Sequence, residues 1–386
     1  MTTDSQATVA RRRRVGGIDM ARGLAIIGML AAHVGPTDLE SLSGRVYALL
    51  VDGRASVLFM LLAGVGASLL TTSRSTGRLQ GRLRLLWAAL LLLPLGLALQ
   101  TLDLTVNVIL VTYAGLFTLA ALGPANVPRV QLILFLLSAT LGPVVFLAGT
   151  IMAPEVFNRA PLRWGDPLHE LLHGLFLSGP FPVITWGAPF FLGMWLGQQD
   201  LSRIDLRDRL IVLGGALAVI APLLAGGLKR GFGAADPASG GRVLVTAPEG
   251  IAPSAGMPAD PPPGLPWLQL LDTTPHSQMP FWIWGSLGSA LLVLGVCLAL
   301  AERWERATRP LVWLGQAALS VYVGHLVALH FWREALVSRT IGEALLSLVL
   351  MLAIALPLIR LGRLHLRRGP LESLLTGPWM LASRGR

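Results

Sequence analysis

Apolar residues fall in separate runs of about 20, the length a helix needs to cross a hydrocarbon core. Polar, arginine-rich segments divide them. Ten runs qualify, at roughly 16–35, 55–72, 85–102, 105–122, 130–152, 182–199, 209–227, 281–301, 311–331 and 341–361. The pattern predicts an all-α, polytopic transmembrane helix bundle of about ten spans, forming one domain over 1–386. Residues 1–15 read as a disordered basic tail, 228–280 as a Pro/Gly-rich exoplasmic loop and 362–386 as a basic tail. An even span count puts both termini on one side. With that side taken as inside, 22 of the 31 basic residues lie there and nine lie opposite. The bias predicts that both termini are cytoplasmic.

Composition agrees: 53% of residues are apolar, 13% are charged and mean hydropathy is +0.65. Length alone would suggest two or three soluble domains, and hydropathy overrides it. The net charge of +10 does not point to nucleic acid, because the arginines sit mostly in short loops where they set topology. Cys297, the single cysteine, excludes an intrachain disulfide and a cysteine-cluster metal site. No metal is expected. The near absence of lysine (Lys229 alone) suggests a GC-rich genome. A secretory signal peptide competes for the first 35 residues through the basic start and Leu30-Ala31-Ala32. Asp19 and Arg22 interrupt that run, and no soluble mature domain follows.

The chemistry concentrates in the first span, which carries Asp19, Arg22 and His33. Each ionisable group at bilayer depth costs roughly 2.5–3.5 kcal/mol on insertion scales, so a span that retains them uses them. On a helix Arg22 and His33 stand about 16 Å apart along the axis and within roughly 20° of one direction, with Ala25 and Met29 between. A guanidinium fork suits phosphate oxygens. A neutral imidazole suits proton abstraction. Acyl-coenzyme A, with a phosphorylated head and a reactive tail, has the shape to span the two. The other reading pairs Arg22 with Asp19 three residues earlier and leaves His33 capping the span.

Further candidates are weaker. Asp52 and Arg54 flank the second span, as an exoplasmic mouth or an interfacial pair. His325 lies mid-span beside Tyr322, and His276-Ser277 lies where the long loop re-enters the membrane. His169 and His173 are four apart on an amphipathic stretch and read as surface residues, since two histidines without a third ligand are weak evidence for zinc. Gly64-x-Gly66 and Gly193-x-x-x-Gly197 read as close-packing sites. Trp186, Trp267, Trp282, Trp284, Trp313 and Trp332 read mostly as interfacial anchors.

The opening Asp19-x-x-Arg22-Gly23-x-Ala25, with ten residues between Arg22 and His33, resembles the acyltransferase-3 superfamily. The closer resemblance is to YeiB-like and heparan-alpha-glucosaminide N-acetyltransferase-like membrane proteins. It rests on Ile18 to Met29, Arg54 to Gly64, Trp186 to Met194, Pro275-His276-Ser277, Leu319 to His325 and Arg368-Gly369-Pro370-Leu371-Glu372. Many YeiB-like proteins have asparagine at the His33 position. The heparan-type enzyme places its acetyl-accepting histidine in the following loop, where this chain has none between Pro36 and Arg54.

The resemblance implies an integral-membrane acyltransferase of the cell envelope, multi-pass in a bacterial inner membrane. Cytosolic acyl-CoA, expected to be acetyl-CoA, would dock near Arg22, Arg78, Arg82 and Arg84. His33 would act as base or acyl carrier, with Arg22 and Asp19 beside it. Asp52, Arg54, His276, Ser277, Tyr322 and His325 would face an acceptor: a glycan, a glycolipid or a small molecule. The lipid bilayer is a partner, nucleic acid is not, and a homodimer stays open. The alternative is a transporter or flippase that uses the same buried charges as a substrate or proton pathway. A third option is a scaffold subunit of an envelope complex.

Overall fold

The computed structural model describes residues 3–36, 42–51, 53–72, 77–102, 104, 106–157, 161–232, 266–338, 340–365 and 369–376. Asp52, Asp103, most of the long loop (233–265) and much of the C-terminal tail lie outside these, and so do the expectations placed on them.

Each of the ten apolar runs contains helix, and no strand forms among the described residues. Helix α1 covers Thr3–Val34, so it extends back through the segment expected as a basic tail. After α2 (Leu42–Val51), which lies outside the ten apolar runs, come α3 (Arg54–Thr72), α4 (Arg78–Gln100) and α5 (Leu110–Leu122). Next are α6 (Pro128–Leu136) and α7 (Gly142–Met152), joined by a π-helical turn over Leu137–Leu141. Then follow α8 (Leu168–His173), a second π turn over Gly174–Ser178, α9 (Val183–Leu196) and α10 (Ile204–Gly231). A 3₁₀ turn at Pro266–Leu271 leads to α11 (Pro280–Arg303), α12 (Glu305–Gln316), α13 (Ala318–Leu336) and α14 (Ile341–His365).

Among the described residues seven helices, the run α6–α7 among them, are long and apolar enough to cross a membrane, or up to nine if each of two bent pairs is one span. The bends are 62° before α9 and 67° between α12 and α13. That range sits beside the expectation of about ten spans, and the all-α, polytopic bundle is observed. The run at 105–122 becomes helical only at Leu110 and is too short to span by itself. Its polar lead-in, around Asn107, stays outside the helix. α5 instead packs on α4, where Gly96 admits Val111 with no room for a Cβ.

The chain divides into two compact units: Met1–Leu62 with Gln199–Gly214 and Ala290–Arg386, and Ala63–Gln198 with Gly215–Ser289. In the first, α1 runs against α12 and also touches α13 and α14. Glycines set the approach. A Cβ on Gly23 would fall on the Leu311 carbonyl oxygen, and one on Gly315 would fall on the Asp19 carbonyl oxygen. Backbone meets backbone, as small residues allow in membranes. Ile26 and Leu30 on α1, Leu314 on α12, and Tyr322 and Leu326 on α13 are buried.

In the second unit α9 packs against α6 and α7. Gly64 lies on the Phe190 carbonyl and Gly197 on the Ser68 side chain, so both glycine motifs serve close packing. The apolar windows of α10 and α14 are only 22% and 11% buried, which leaves faces suited to lipid.

Candidate functional site

Both carboxylate oxygens of Asp19 are engaged. Arg22 Nη1 donates to Oδ1 at 2.7 Å and Gln316 Nε2 donates to Oδ2 at 3.1 Å. Gln316 Oε1 in turn accepts from Arg363 Nη1, and the Arg363 guanidinium lies 5.4 Å from the Trp313 ring centre. A polar chain thus links α1, the end of α12 and α14. The chain holds two guanidiniums and one carboxylate, so the cluster carries a net positive charge. The Asp19–Arg22 pairing weighed from the sequence is present, and it leaves the Arg22 side chain 28% exposed. Replacing Asp19 with Asn removes the only counter-charge in this chain of contacts. The expected loss is about 1–3 kcal/mol of stability, less than for a fully buried pair because Arg22 keeps part of its surface open. Melting of the purified variant in detergent checks this.

Farther along α1, His33 Nδ1 lies 2.8 Å from His325 Nε2, and the two rings stack with centroids 5.1 Å apart. His325 is buried on α13, with Tyr322 edge-on to its ring. Its Nδ1 faces the Val321 carbonyl at 3.3 Å. A carbonyl only accepts, so that nitrogen holds the proton of neutral His325 and Nε2 keeps a lone pair. His33 Nδ1 is then the donor, which leaves the lone pair of His33 on Nε2. The tautomers are assigned from these acceptors. An imidazole held this way is able to accept a proton at Nε2, with the second imidazole fixing its ring through the other nitrogen. The sequence marked both histidines but did not pair them, because they are 292 positions apart.

Asp52 lies outside the described residues. Arg54 opens α3 and is half-buried. Arg78, Arg82 and Arg84 stand on the first two turns of α4, in the second unit. Arg78 is exposed, Arg84 is half-buried, and Arg82 holds a turn by donating to the Gly123 carbonyl at 3.0 Å.

His276 and Ser277 also belong to the second unit. His276 adopts a left-handed backbone (φ 59°) and stacks on Trp186, with Trp282 tilted against its ring and Phe181 edge-on. Ser277 is fully buried. Gln278, also left-handed, ties this loop to the start of α9: it accepts from Thr185 Oγ1 at 3.0 Å and donates to the Pro180 carbonyl at 3.1 Å. Trp186 and Trp282 are buried here, which corrects their reading as interfacial anchors; Trp267 and Trp332 are exposed. His173 hydrogen-bonds Ser178 at 2.9 Å. Sequence reasoning missed Gln316 and Arg363 as members of the Asp19 cluster. A lone glutamine inside an apolar run was the available signal.

A family model described as an acyltransferase domain matches residues 105–360, more than half of the 386-residue chain. The matched region contains His325, Tyr322 and Gln316 and begins beyond Arg22 and His33. No curated protein gave a match. The match covers most of the candidate membrane spans, and on its extent the chain belongs to the acyltransferase-3 superfamily of membrane acyltransferases.

Proposed function

We propose that this acyltransferase moves an acyl group, expected to be acetyl, from cytosolic acyl-CoA to a hydroxyl or amine of an envelope glycan, a glycolipid or a small metabolite. His33 Nε2 is the general base. It takes the proton of the acceptor hydroxyl or amine while that oxygen or nitrogen attacks the thioester carbonyl. The C–S bond then breaks, and the leaving coenzyme A thiolate takes the proton from the His33 imidazolium, which restores the neutral base. The single observation that carries this reading is the chain from the Val321 carbonyl through His325 to His33, which leaves the free lone pair on Nε2. A variant route attaches the acyl group to that same nitrogen before passing it on.

Arg22 supports binding of the donor. Its cluster with Asp19, Gln316 and Arg363 carries surplus positive charge, and it stands about 16 Å along α1 from His33, a separation an extended thioester can bridge. The YeiB-like or heparan-alpha-glucosaminide N-acetyltransferase-like subgroup, cytoplasmic termini and a bacterial inner-membrane location complete the proposal. A transporter or flippase is not favoured by the family match.

Purified protein should melt at higher temperature with acetyl-CoA than with free acetate or a nucleotide; a ligand at 100 times its Kd adds about 2.7 kcal/mol. Equal melting in all three would discard the donor assignment. Replacing His325 with Phe keeps the His33 ring and removes its acceptor. The expected loss in kcat is roughly 100-fold, the scale of misplaced catalytic groups, with the melting gain from acetyl-CoA retained.

A further inference from the structure

α13 begins at a 67° break after α12, and a free helix start leaves its first N–H groups without partners. Nothing local caps it. Ala317 precedes the helix, and its first residues are Ala318, Leu319 and Ser320. The partners come from the far end of the chain. Glu372 Oε1 accepts from Leu319 N at 2.6 Å and from Ser320 N at 3.0 Å, and Oε2 accepts from Ser320 Oγ at 2.6 Å. Ser320 Oγ also accepts from Leu371 N at 3.1 Å. One carboxylate therefore takes three donors from a single helix start, where the helix dipole also favours negative charge. The fit is close. A Cβ on Gly369 would run into Glu372 Oε2 and come within 2.6 Å of Ser320 Oγ.

His325 lies one and a half turns past Ser320 on the same helix, and Tyr322 lies between them. The cap and the histidine pair thus sit on one rigid element. We propose that Glu372 is a positioning residue: by capping α13 from the C-terminal segment, it fixes the rotation and height at which His325 meets His33. The segment Gly369-Pro370-Leu371-Glu372, which the sequence marked without a role, is a latch on the catalytic helix. This role rests on the proposed function only through its effect on rate; the capping geometry stands apart from it.

The test compares Glu372→Ala, Glu372→Gln and Gly369→Ala in the full chain by two readouts. The first is acyl transfer from acetyl-CoA. Glu372→Ala and Gly369→Ala should lower kcat roughly 10- to 100-fold, the scale of small misplacements, with KM for acetyl-CoA nearly unchanged. Glu372→Gln keeps the amide oxygen for both backbone donors and should stay within about threefold of wild type, since a neutral cap retains most of the bonding. The second readout is independent of activity: the ¹⁵N resonances of labelled histidine. Wild type should show His33 Nδ1–H coupled to His325 Nε2. Glu372→Ala should lose that signature and Glu372→Gln should keep it. Unchanged histidine resonances and unchanged kcat in folded Glu372→Ala would overturn the proposal. So would a lowered kcat that only tracks the fraction of folded protein. If Glu372→Ala alters the resonances but wild type transfers no acyl group, the positioning role holds and the enzymatic reading fails.

Discussion

His33→Ala is expected to lower acyl transfer at least 100-fold and up to about 10,000-fold, the range a positioned general base contributes. The loss should fall on kcat, because the proton acceptor is removed while the Arg22 cluster is untouched. Folding should survive. His33 is half-buried, and its removal leaves His325 Nε2 without a donor, a cost of about 1–3 kcal/mol for one unsatisfied buried group. His33→Gln restores a donor to His325 without a base, so it should recover stability and not activity. Rates measured in detergent or proteoliposomes, beside melting of the same samples, separate the two effects. A trapped acyl-enzyme in wild type that disappears in His33→Ala would favour the acyl-histidine route over direct base catalysis.

Gly315→Val is expected to have the largest structural effect of any single change in the first unit. The first added carbon already collides with the Asp19 carbonyl oxygen and crowds the Gly23 nitrogen at 2.9 Å. Both obstacles are helix backbone, and they cannot rotate away as a side chain would. α1 and α12 must separate, which breaks the Gln316–Asp19 hydrogen bond one residue on. Overpacking costs typically 1–3 kcal/mol and more where backbone must move, so about 3 kcal/mol or more is expected here. Gly315→Ala should show a smaller loss of the same kind. Yield of folded protein and melting temperature are the measures, and wild-type melting in Gly315→Val would show that the contact is not tight.

The apolar runs were legible because a bilayer fixes their length, and the Asp19–Arg22 pair was legible because it is local. The end of the 105–122 run was not, because hydropathy is blind to the backbone turn ahead of Leu110. The break before α9 had a visible cause in Gly179-Pro180-Phe181-Pro182. The break at Ala317 had none: Ala-Ala-Leu-Ser is compatible with a continuous helix, and only the distant Glu372 gives the second helix a start. The same limit hid the histidine pair and the placement of Arg363 on Gln316. Each joins segments that only the packed fold brings together. The tryptophans near span ends misled because a residue at an interface by sequence can still turn inward, as Trp186 and Trp282 do against His276.

A double-mutant cycle in kcat on His33→Ala and His325→Phe, measured with acetyl-CoA as donor, shows whether the two imidazoles work as one catalytic unit. If His325 acts only by orienting His33, the double variant should be no slower than His33→Ala alone, since residues that work as a unit are not additive. Independent losses that multiply, or full activity in His33→Ala, would contradict the account.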